Sequence, residues 1–330
     1  MMPLCKRLRR RRQYAAALRT IRQGKQAAAE AAIHRIQTEL KGRVAFLGAY
    51  GKRLLPAVWR SLRHIDRLTA AIPGPVMLAP EHWGDEPLIN AVCTDSSRLQ
   101  RMLRSDSTLK AYFQSSEVQQ AVGLLTAKKR EKVVSGVEKT GQIVRRGMLQ
   151  QAVYFENHKI IAPAADLKAA QAEYRLQLMV ELMRAMTVRI EALKEWHAEL
   201  EVERRRLGLL IDDPAVSVKD RRRRSEILPE AAAMRGKVDG ELKDIAEVLD
   251  ADNGFFSFVR NALLQPEGWL VAETLQFNLS RLGIRLDPAS DEPGNAFSLV
   301  QFRLGEENPH HWVAVWVQVA RQAVERPHNT

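Results

Sequence analysis

The residues with the clearest capacity for chemistry are six cations within a run of seven near the start of the chain, KRLRRRR at 6–12. Such a cluster attracts phosphate groups through counterion release, without reading a base sequence, and it also attracts anionic lipid head groups. Tyr14 is the one aromatic residue nearby, so the stacking platform of single-strand-binding proteins is missing. The run predicts a polyanion-binding surface, with a solvated helix end as the alternative. The candidate residues are Lys6, Arg7, Arg9, Arg10, Arg11 and Arg12.

The net charge of the protein is concentrated in the same part of the chain. The 330 residues include 51 Lys or Arg and 39 Asp or Glu, a formal charge of +12. Residues 1–72 hold 17 of the cations and three of the acids, which gives +14, so the remainder holds 34 cations and 36 acids, or −2. A polyanionic partner, either nucleic acid or an anionic membrane surface, would therefore be attracted to the N-terminal segment.

Other residue combinations with catalytic or ligand-binding potential are incomplete. GAYGKR at 48–53 lacks the spacing and the Ser or Thr of a phosphate-binding loop, and GVEKTG at 136–141 fails similarly. No GxSxG, HExxH, DxDxDG or GxGxxG pattern occurs. The Glu-Glu and His-His pairs within 306–311 are poor metal ligands, because adjacent histidines in a strand point to opposite faces. We therefore expect no enzyme activity, no metal, no cofactor and no small-molecule ligand.

The cysteines and the hydropathy pattern favour a soluble, cytoplasmic protein. Cys5 and Cys93 lie far apart and belong to no CxxC pair, so neither a disulfide nor a thiolate metal site is expected. No apolar run reaches the roughly 18 residues that a membrane-spanning helix needs. The stretch without acids before Glu30 resembles an organelle transit peptide, but its helical pattern continues well beyond a typical presequence.

Residues 1–72 are predicted to form a basic N-terminal helical arm. Apolar residues recur three or four positions apart, which places them on one face of a helix. Gly48, Gly51 and Pro56 predict a break, and IPGP at 72–75 ends the segment. The apolar face consists of Ile33, Ile36, Leu40, Val44, Leu47, Leu55, Val58, Leu62, Ile65 and Ile72.

Residues 77–162 predict a small α+β domain. Asp95 and Ser105 are suited to capping helices, and short alternating segments predict a meander of three or four strands. The expected helices cover 86–93, 97–103 and 107–125. The expected strands cover 132–138, 142–146, 149–156 and 159–162.

The strongest periodic pattern is a heptad repeat within 163–211. Ten residues alternate three and four positions apart, which is typical of a coiled-coil helix. Asp166 is a suitable N-cap, and Asp212-Asp213-Pro214 ends the pattern. Polar residues on the seam, His197 and Arg204, would fix register or partner number, although Arg204 has the length to reach solvent instead. The seam consists of Leu176, Met179, Met183, Met186, Ile190, Leu193, His197, Leu200, Arg204 and Leu207.

The last third of the chain begins with a polar linker at 212–225, which contains the run Arg221 to Arg224. Residues 226–330 then predict helices followed by an antiparallel sheet, because the apolar period changes from about 3.6 to 2. The expected helices cover 228–249 and 255–264. The expected strands cover 273–279, 282–286, 297–304 and 312–319.

Two stretches, HWGDEPLINAV at 82–92 and LLQPEGWLVAETLQFNLSRLGI at 263–284, resemble a group of proteobacterial proteins of unknown function. Those proteins place a coiled coil between small mixed regions. The resemblance implies a bacterial cytoplasmic setting, and it supplies no activity, cofactor or catalytic residue.

The sequence as a whole predicts a mainly α protein with α+β parts. Long coiled-coil-like helices would flank a small mixed domain, and an antiparallel sheet would follow at the C-terminus. The leading hypothesis is a non-enzymatic structural or protein–protein interaction protein that acts through coiled-coil pairing, either with its own N-terminal segment, with a second copy or with another helical protein. The alternative is a nucleic-acid-associated protein that binds phosphate through the basic N-terminal helix.

Overall fold

The computed structural model describes residues 3–44, 46–79, 83–84, 86–93, 95–140, 143–212, 221–250, 254–286 and 294–325. The chain divides into two compact units. Unit 1 comprises residues 1–61 and 183–265, and unit 2 comprises residues 62–182 and 266–330. Among the described residues, no helix combines the length and apolarity needed to cross a membrane.

Unit 1 is built from long helices. Two of them, α2 and α6, contribute residues to both units, because the division falls inside each helix. The two units therefore cut across the five segments expected from composition and periodicity. The helices are α1 (Pro3–Leu40), α2 (Phe46–Thr69), α6 (Leu167–Asp212), α7 (Arg221–Leu249) and α8 (Gly254–Leu264).

The break in the N-terminal helical arm lies earlier than the glycines and proline predicted. The chain leaves α1 at Lys41, which has a φ of 47°, and a short 3-10 helix covers Lys41–Val44. Helix α2 then runs through Gly48, Gly51 and Pro56 without interruption. An internal proline costs one backbone hydrogen bond. Burial of one face of α2 offsets that cost. Leu54 lies on this buried face instead of the expected Leu55, and its other members are Leu47, Val58, Leu62 and Ile65.

Unit 2 is built on one sheet with the strand order β3-β2-β6-β5-β4. The short strand β1 pairs in parallel with β6 at Val76 and Val317, and the other named pairs are antiparallel. Three of the four expected C-terminal strands are observed as antiparallel strands of this sheet, which they share with β2 and β3. The strand expected at 282–286 is wrong, because that segment makes only isolated bridges at Ile284 and Arg285. The strands are β1 (Val76–Met77), β2 (Gln120–Thr140), β3 (Ile143–Ala164), β4 (Leu270–Leu279), β5 (Asn295–Leu304) and β6 (His310–Ala320).

The expected meander within 132–162 is wrong. The region forms one hairpin of two long strands, β2 and β3, and β2 begins at Gln120, inside the helix expected at 107–125. Register shifts along the hairpin interrupt the apolar alternation, and Gly147 with a φ of 74° adds a residue to β3 near one of them. These irregularities made two continuous strands look like several short ones.

Helices cover both faces of the sheet within unit 2. On one face, α3 (Pro87–Val92), α4 (Ser96–Ser105) and α5 (Ser107–Ser115) share a buried core with alternate β6 residues such as Val315 and Val317. On the other face, Tyr174 of α6 makes edge-to-face contacts with Phe302 and Trp316, at centroid distances of 6.3 and 6.0 Å. The sheet is thus the middle layer of three. Helix α9 (Arg321–Glu325) ends the described chain.

Local capping follows the sequence in two of three places. Asp95 accepts the Arg98 amide at 2.6 Å, and Asp166 accepts the Ala169 amide at 2.8 Å, as predicted. The cap of α5 is Asp106, which accepts the Leu109 amide at 2.9 Å, and not Ser105. An aspartate caps each of these helix starts because its carboxylate satisfies an amide that has no partner inside the helix.

The β2–β3 hairpin extends beyond the rest of the sheet. Pairing of β2 with β6 ends at Ala127 and Val313, whereas pairing of β2 with β3 continues to Thr140 and Ile143. At its base, the outer edge of β3 is covered by the loop after β4, where the Val153 amide donates to the Gly283 carbonyl at 2.8 Å. We call residues 128–140 and 143–156 the ribbon arm.

Candidate functional site

The predicted pairing seam of α6 is largely enclosed within the chain itself. Six of its ten residues are buried and four are half-buried. The buried ones are Met179, Met183, Met186, Ile190, Leu193 and Leu207. The half-buried ones are Leu176, His197, Leu200 and Arg204.

The first part of the seam belongs to a helix that is buried on more than one face. Leu178, Val180, Leu182 and Thr187 lie off the seam and are buried as well. A paired coiled-coil helix buries a narrow a/d stripe, whereas a helix within a larger core buries more of its circumference. This part of α6 therefore acts as a core helix.

The last part of the seam packs against α7 of the same chain. Leu207, with Leu200 and Ile211 at its margin, shares a cluster with Ala231, Val238 and Leu242 of α7. Within that cluster the neighbour of the seam is α7 and not the N-terminal arm. Pairing of α6 with a second molecule stays a prediction.

The two polar seam residues do not form a buried polar contact in the described structure. Arg204 reaches along the helix surface, where its Nη2 donates to Glu201 Oε2 at 2.7 Å. Both Arg204 and His197 are half-buried. Arg204 thus follows the alternative in which a long cationic side chain leaves the seam for a polar neighbour.

Helix α1 carries the candidate polyanion-binding cluster. The backbone of Lys6 to Arg12 is helical, and the side chains of these six cations lie outside the described residues. Further along, every residue of 19–27 is exposed, and Ala29 is the first buried residue among those whose side chains are described. This exposed stretch adds three cations, Arg19, Arg22 and Lys25, to the same helix.

The charge pattern of α1 is unfavourable for an isolated helix. No acid lies in its first turn, and none occurs before Glu30. Cations near a helix N-terminus oppose the helix dipole, and like charges four positions apart repel each other. Lys25 lies 5.9 Å from the Trp59 ring centroid, a cation–π contact that offsets one charge only. A bound polyanion would relieve this repulsion.

A cavity of about 380 Å³ in unit 2 brings Cys93 and His158 together with Arg98 and Arg101. Burial raises the pKa of the Cys93 thiol to about 12, so the thiol is protonated near neutral pH and is a poor nucleophile. His158 donates from Nε2 to the Val92 carbonyl at 2.8 Å, and burial lowers its pKa. Cys93 therefore lacks the thiolate form that nucleophilic catalysis by a cysteine requires.

A second buried histidine, His64, serves as a structural link inside unit 2. Its Nε2 donates to the Leu270 carbonyl at 2.7 Å, and its Nδ1 accepts from Arg67 Nη2 at 3.4 Å. Glu267 lies 3.5 Å from the same arginine. Both ring nitrogens are thus occupied, so His64 joins α2 to β4 and is not available as a general base.

The histidines near the C-terminus do not form a metal site within the described part of the chain. His310 and His311 begin β6, and His310 stacks on Trp312 at a centroid distance of 5.2 Å. Across the described residues, no three His, Cys, Asp or Glu side chains are placed to hold a metal ion.

Sequence reasoning missed the cations of the ribbon arm as a surface. The strand expected at 132–138 begins only at the last residue of the run KKREK at 128–132, so the other four residues of the run fall outside any expected strand. A period-two pattern of Lys128, Arg130 and Lys132 was the available signal.

Comparison with protein-family models, with curated proteins and with solved structures found no match to this chain.

Proposed function

We propose that the protein is a nucleic-acid-associated binding protein whose helix α1 clamps the phosphate backbone. One observation carries the proposal: α1 begins with a long stretch that is exclusively cationic in its charge, and the part of that stretch whose side chains are described, 19–27, is exposed throughout. From Pro3 to Ala27 the helix contains nine Lys or Arg and no acid. At 1.5 Å per residue this stretch is about 37 Å long, which matches roughly one turn of a DNA duplex.

The chemistry of the stretch suits phosphate better than base recognition. Arginine presents a planar fork that matches two phosphate oxygens, and six of the nine cations cluster within 6–12. Each cation that neutralises a phosphate releases a condensed counterion, which drives binding without sequence specificity. The proposed role is therefore a non-specific clamp.

The proposal is tested by fluorescence anisotropy of the full chain with a labelled 24-base-pair DNA duplex. The test variant replaces the six cations of 6–12 with Gln. A matched control replaces six exposed cations elsewhere with Gln, namely Lys110, Lys168, Lys194, Lys237, Lys243 and Arg260. We expect the test variant to lose at least about tenfold in affinity while the control stays within about threefold.

Two results would contradict this function. One is that the unmodified chain fails to bind the duplex at low salt. The other is that the test and control variants lose affinity equally, which would show a dependence on total charge alone. Binding to vesicles with anionic lipid, but not to the duplex, would assign α1 to a membrane surface instead.

A second candidate function is pairing of α6 with another helix, in the manner of a coiled coil. It is favoured by large apolar side chains that are exposed on the side of α6 facing away from the buried seam, including Val188, Val202 and Leu209. Light scattering on the full chain would show a dimer. Replacing Val202 and Leu209 with Lys should return it to a monomer, and a wild-type monomer would remove this candidate.

The bacterial cytoplasmic setting implied by the resemblance belongs with these proposals and is tested by cell fractionation.

A further inference from the structure

We propose that the ribbon arm is a second nucleic-acid contact, which enters the major groove of double-stranded DNA. This site lies in unit 2 and shares no residue with α1, so it goes beyond the clamp proposed above. The face that meets the DNA carries Lys128, Arg130, Lys132 and Tyr154.

The shape of the ribbon arm suits a groove. After Ala127, strand β2 no longer pairs with β6. On β3, the loop after β4 covers the outer edge as far as Gln151, and the part of β3 nearer the tip of the hairpin lies beyond that loop. The uncovered part of the ribbon arm is about 23 Å long at 3.3 Å per residue, measured from the pair Val133 and Gln151 to the pair Thr140 and Ile143. A two-stranded ribbon fits the roughly 12 Å width of the B-form major groove.

Register places the described cations on one face of this ribbon. Lys128, Arg130 and Lys132 alternate along β2, so their side chains leave the same face at intervals of about 6.6 Å. Arg130 and Lys132 are exposed and Lys128 is half-buried. Tyr154 is the cross-strand partner of Arg130 and therefore shares that face.

The aromatic and the cations of this face already contact one another. Lys132 Nζ lies 5.6 Å from the Tyr154 ring centroid, and Tyr154 is 37% exposed. Arg130 Nε donates to Glu156 at 2.5 Å, which leaves the end of the guanidinium to meet a second anion. Lysine, arginine and the tyrosine hydroxyl are all common donors to DNA phosphate oxygens.

Charge complementarity identifies the occupant as a polyanion. The ribbon arm holds seven Lys or Arg and three Glu, a net charge of +4, although the chain outside 1–72 has a net charge of −2. Lys139, Arg145 and Arg146 continue the cationic sequence along the paired strands, and their side chains lie outside the described residues. A protein partner that seeks an apolar edge would not require this excess of cations.

The ribbon geometry also favours DNA over an RNA duplex. The major groove of A-form RNA is deep and narrow, so a ribbon enters it poorly. On the opposite face, which would point away from the DNA, Val133 is 68% and Leu149 is 78% exposed.

The experiment uses the full chain and measures anisotropy with three probes of one base sequence. They are a plain DNA duplex, the same duplex with glucosylated 5-hydroxymethylcytosine filling its major groove, and the matching RNA duplex. The ribbon variant carries Lys128→Gln, Arg130→Gln and Lys132→Gln, and its control carries Lys168→Gln, Lys194→Gln and Lys237→Gln. A second variant joins 133 to 151 through Asn-Gly, which shortens the ribbon but keeps the register of its base.

We expect the unmodified chain to bind plain DNA at least about fivefold more tightly than either other probe. The ribbon variant should lose this preference and about tenfold in DNA affinity, whereas the control should keep both. The shortened variant should behave like the ribbon variant while its thermal unfolding stays close to wild type.

Equal binding of all three probes by the unmodified chain would overturn the inference, and so would wild-type DNA binding by the ribbon variant. Aggregation of the ribbon variant, with DNA binding retained by the shortened variant, would show that the cations only protect a strand edge. The variant at 6–12 separates the two proposals. If it loses affinity but keeps the DNA preference, both stand; if it binds as wild type while the ribbon variant fails, only the ribbon proposal stands.

Discussion

Helices α1 and α6 differ in how their sequence patterns are used. The apolar pattern of α6 is periodic, and most of its seam is already buried by other parts of the chain. The cationic pattern of α1 has no period, and the described part of its cationic stretch, 19–27, is exposed throughout. The periodic pattern serves the fold, whereas the cations described within 19–27 lie at the surface.

The same difference appears within α6 itself. Near 178–187 its apolar residues are buried on several faces, and near 200–211 only one stripe is covered, by α7. A heptad repeat therefore marks a helix that packs against neighbours, but it does not say how many neighbours there are or whether they belong to the same molecule.

The largest effect is expected from a matched pair of substitutions near the end of α6. Leu207 is 6% exposed and belongs to the α6–α7 cluster, whereas Leu209 is 75% exposed. Leu207→Ala should lower the free energy of unfolding by about 2–5 kcal/mol, because it removes buried methyl groups and leaves a cavity. Leu209→Ala should stay within about 0.5 kcal/mol. Urea denaturation followed by circular dichroism measures both, and equal losses would mean that α6 does not pack as described.

A smaller effect is expected where α6 meets the sheet. Trp312 Nε1 donates to the Tyr174 hydroxyl at 3.3 Å; Tyr174 is buried and Trp312 is half-buried. Tyr174→Phe keeps the ring contacts but removes the acceptor, so it should cost about 1 kcal/mol. The same denaturation experiment tests this value. A neutral result would show that the indole finds another acceptor.

The smallest expected effect is a dependence of the folding stability on pH, which DNA binding by the cations of α1 should not share. Burial lowers the pKa of His158, so the unfolded chain, with a histidine pKa near 6.5, binds a proton more readily than the folded chain. Stability should be fully present above pH 6.5 and should fall as the pH drops through the folded-state pKa. His158→Gln should make the thermal midpoint depend less on pH between 7 and 5. The dependence should not vanish, because burial also lowers the pKa of His310.

The cations of α1 provide the contrasting control in that pH range. Arginine and lysine stay charged between pH 5 and 8, so a binding reaction that depends on them should change little. A loss of DNA affinity that follows the stability curve would show that binding requires the folded chain and not the cations of α1 alone.

Local periodicity predicted two of the helices of this fold closely. The expected helix at 163–211 is observed as Leu167–Asp212, and the one expected at 255–264 is observed as Gly254–Leu264. Both patterns are set by residues close together in sequence, and for α6 the cap at Asp166 was visible as well. Such features need no knowledge of distant partners.

The hairpin of β2 and β3 could not be predicted in the same way. Its base is held by β6, nearly 200 residues later, and by the loop around Gly283. Those partners stabilise strand structure through the charged run 128–132, which looks unfavourable when considered alone. The ribbon arm was missed as a surface for the same reason, whereas the α1 cluster needed only a count of charges.

The central claim is that charge on α1 binds nucleic acid, and the most direct measurement is the salt dependence of DNA affinity. The unmodified chain and the variant with Gln at the six cationic positions of 6–12 are compared by anisotropy between 50 and 200 mM salt. Each phosphate contact contributes a slope of about −0.9 in log affinity against log salt. We predict a steep negative slope for the unmodified chain, which the variant reduces by about 3 to 5. Identical slopes for the two proteins would contradict the claim.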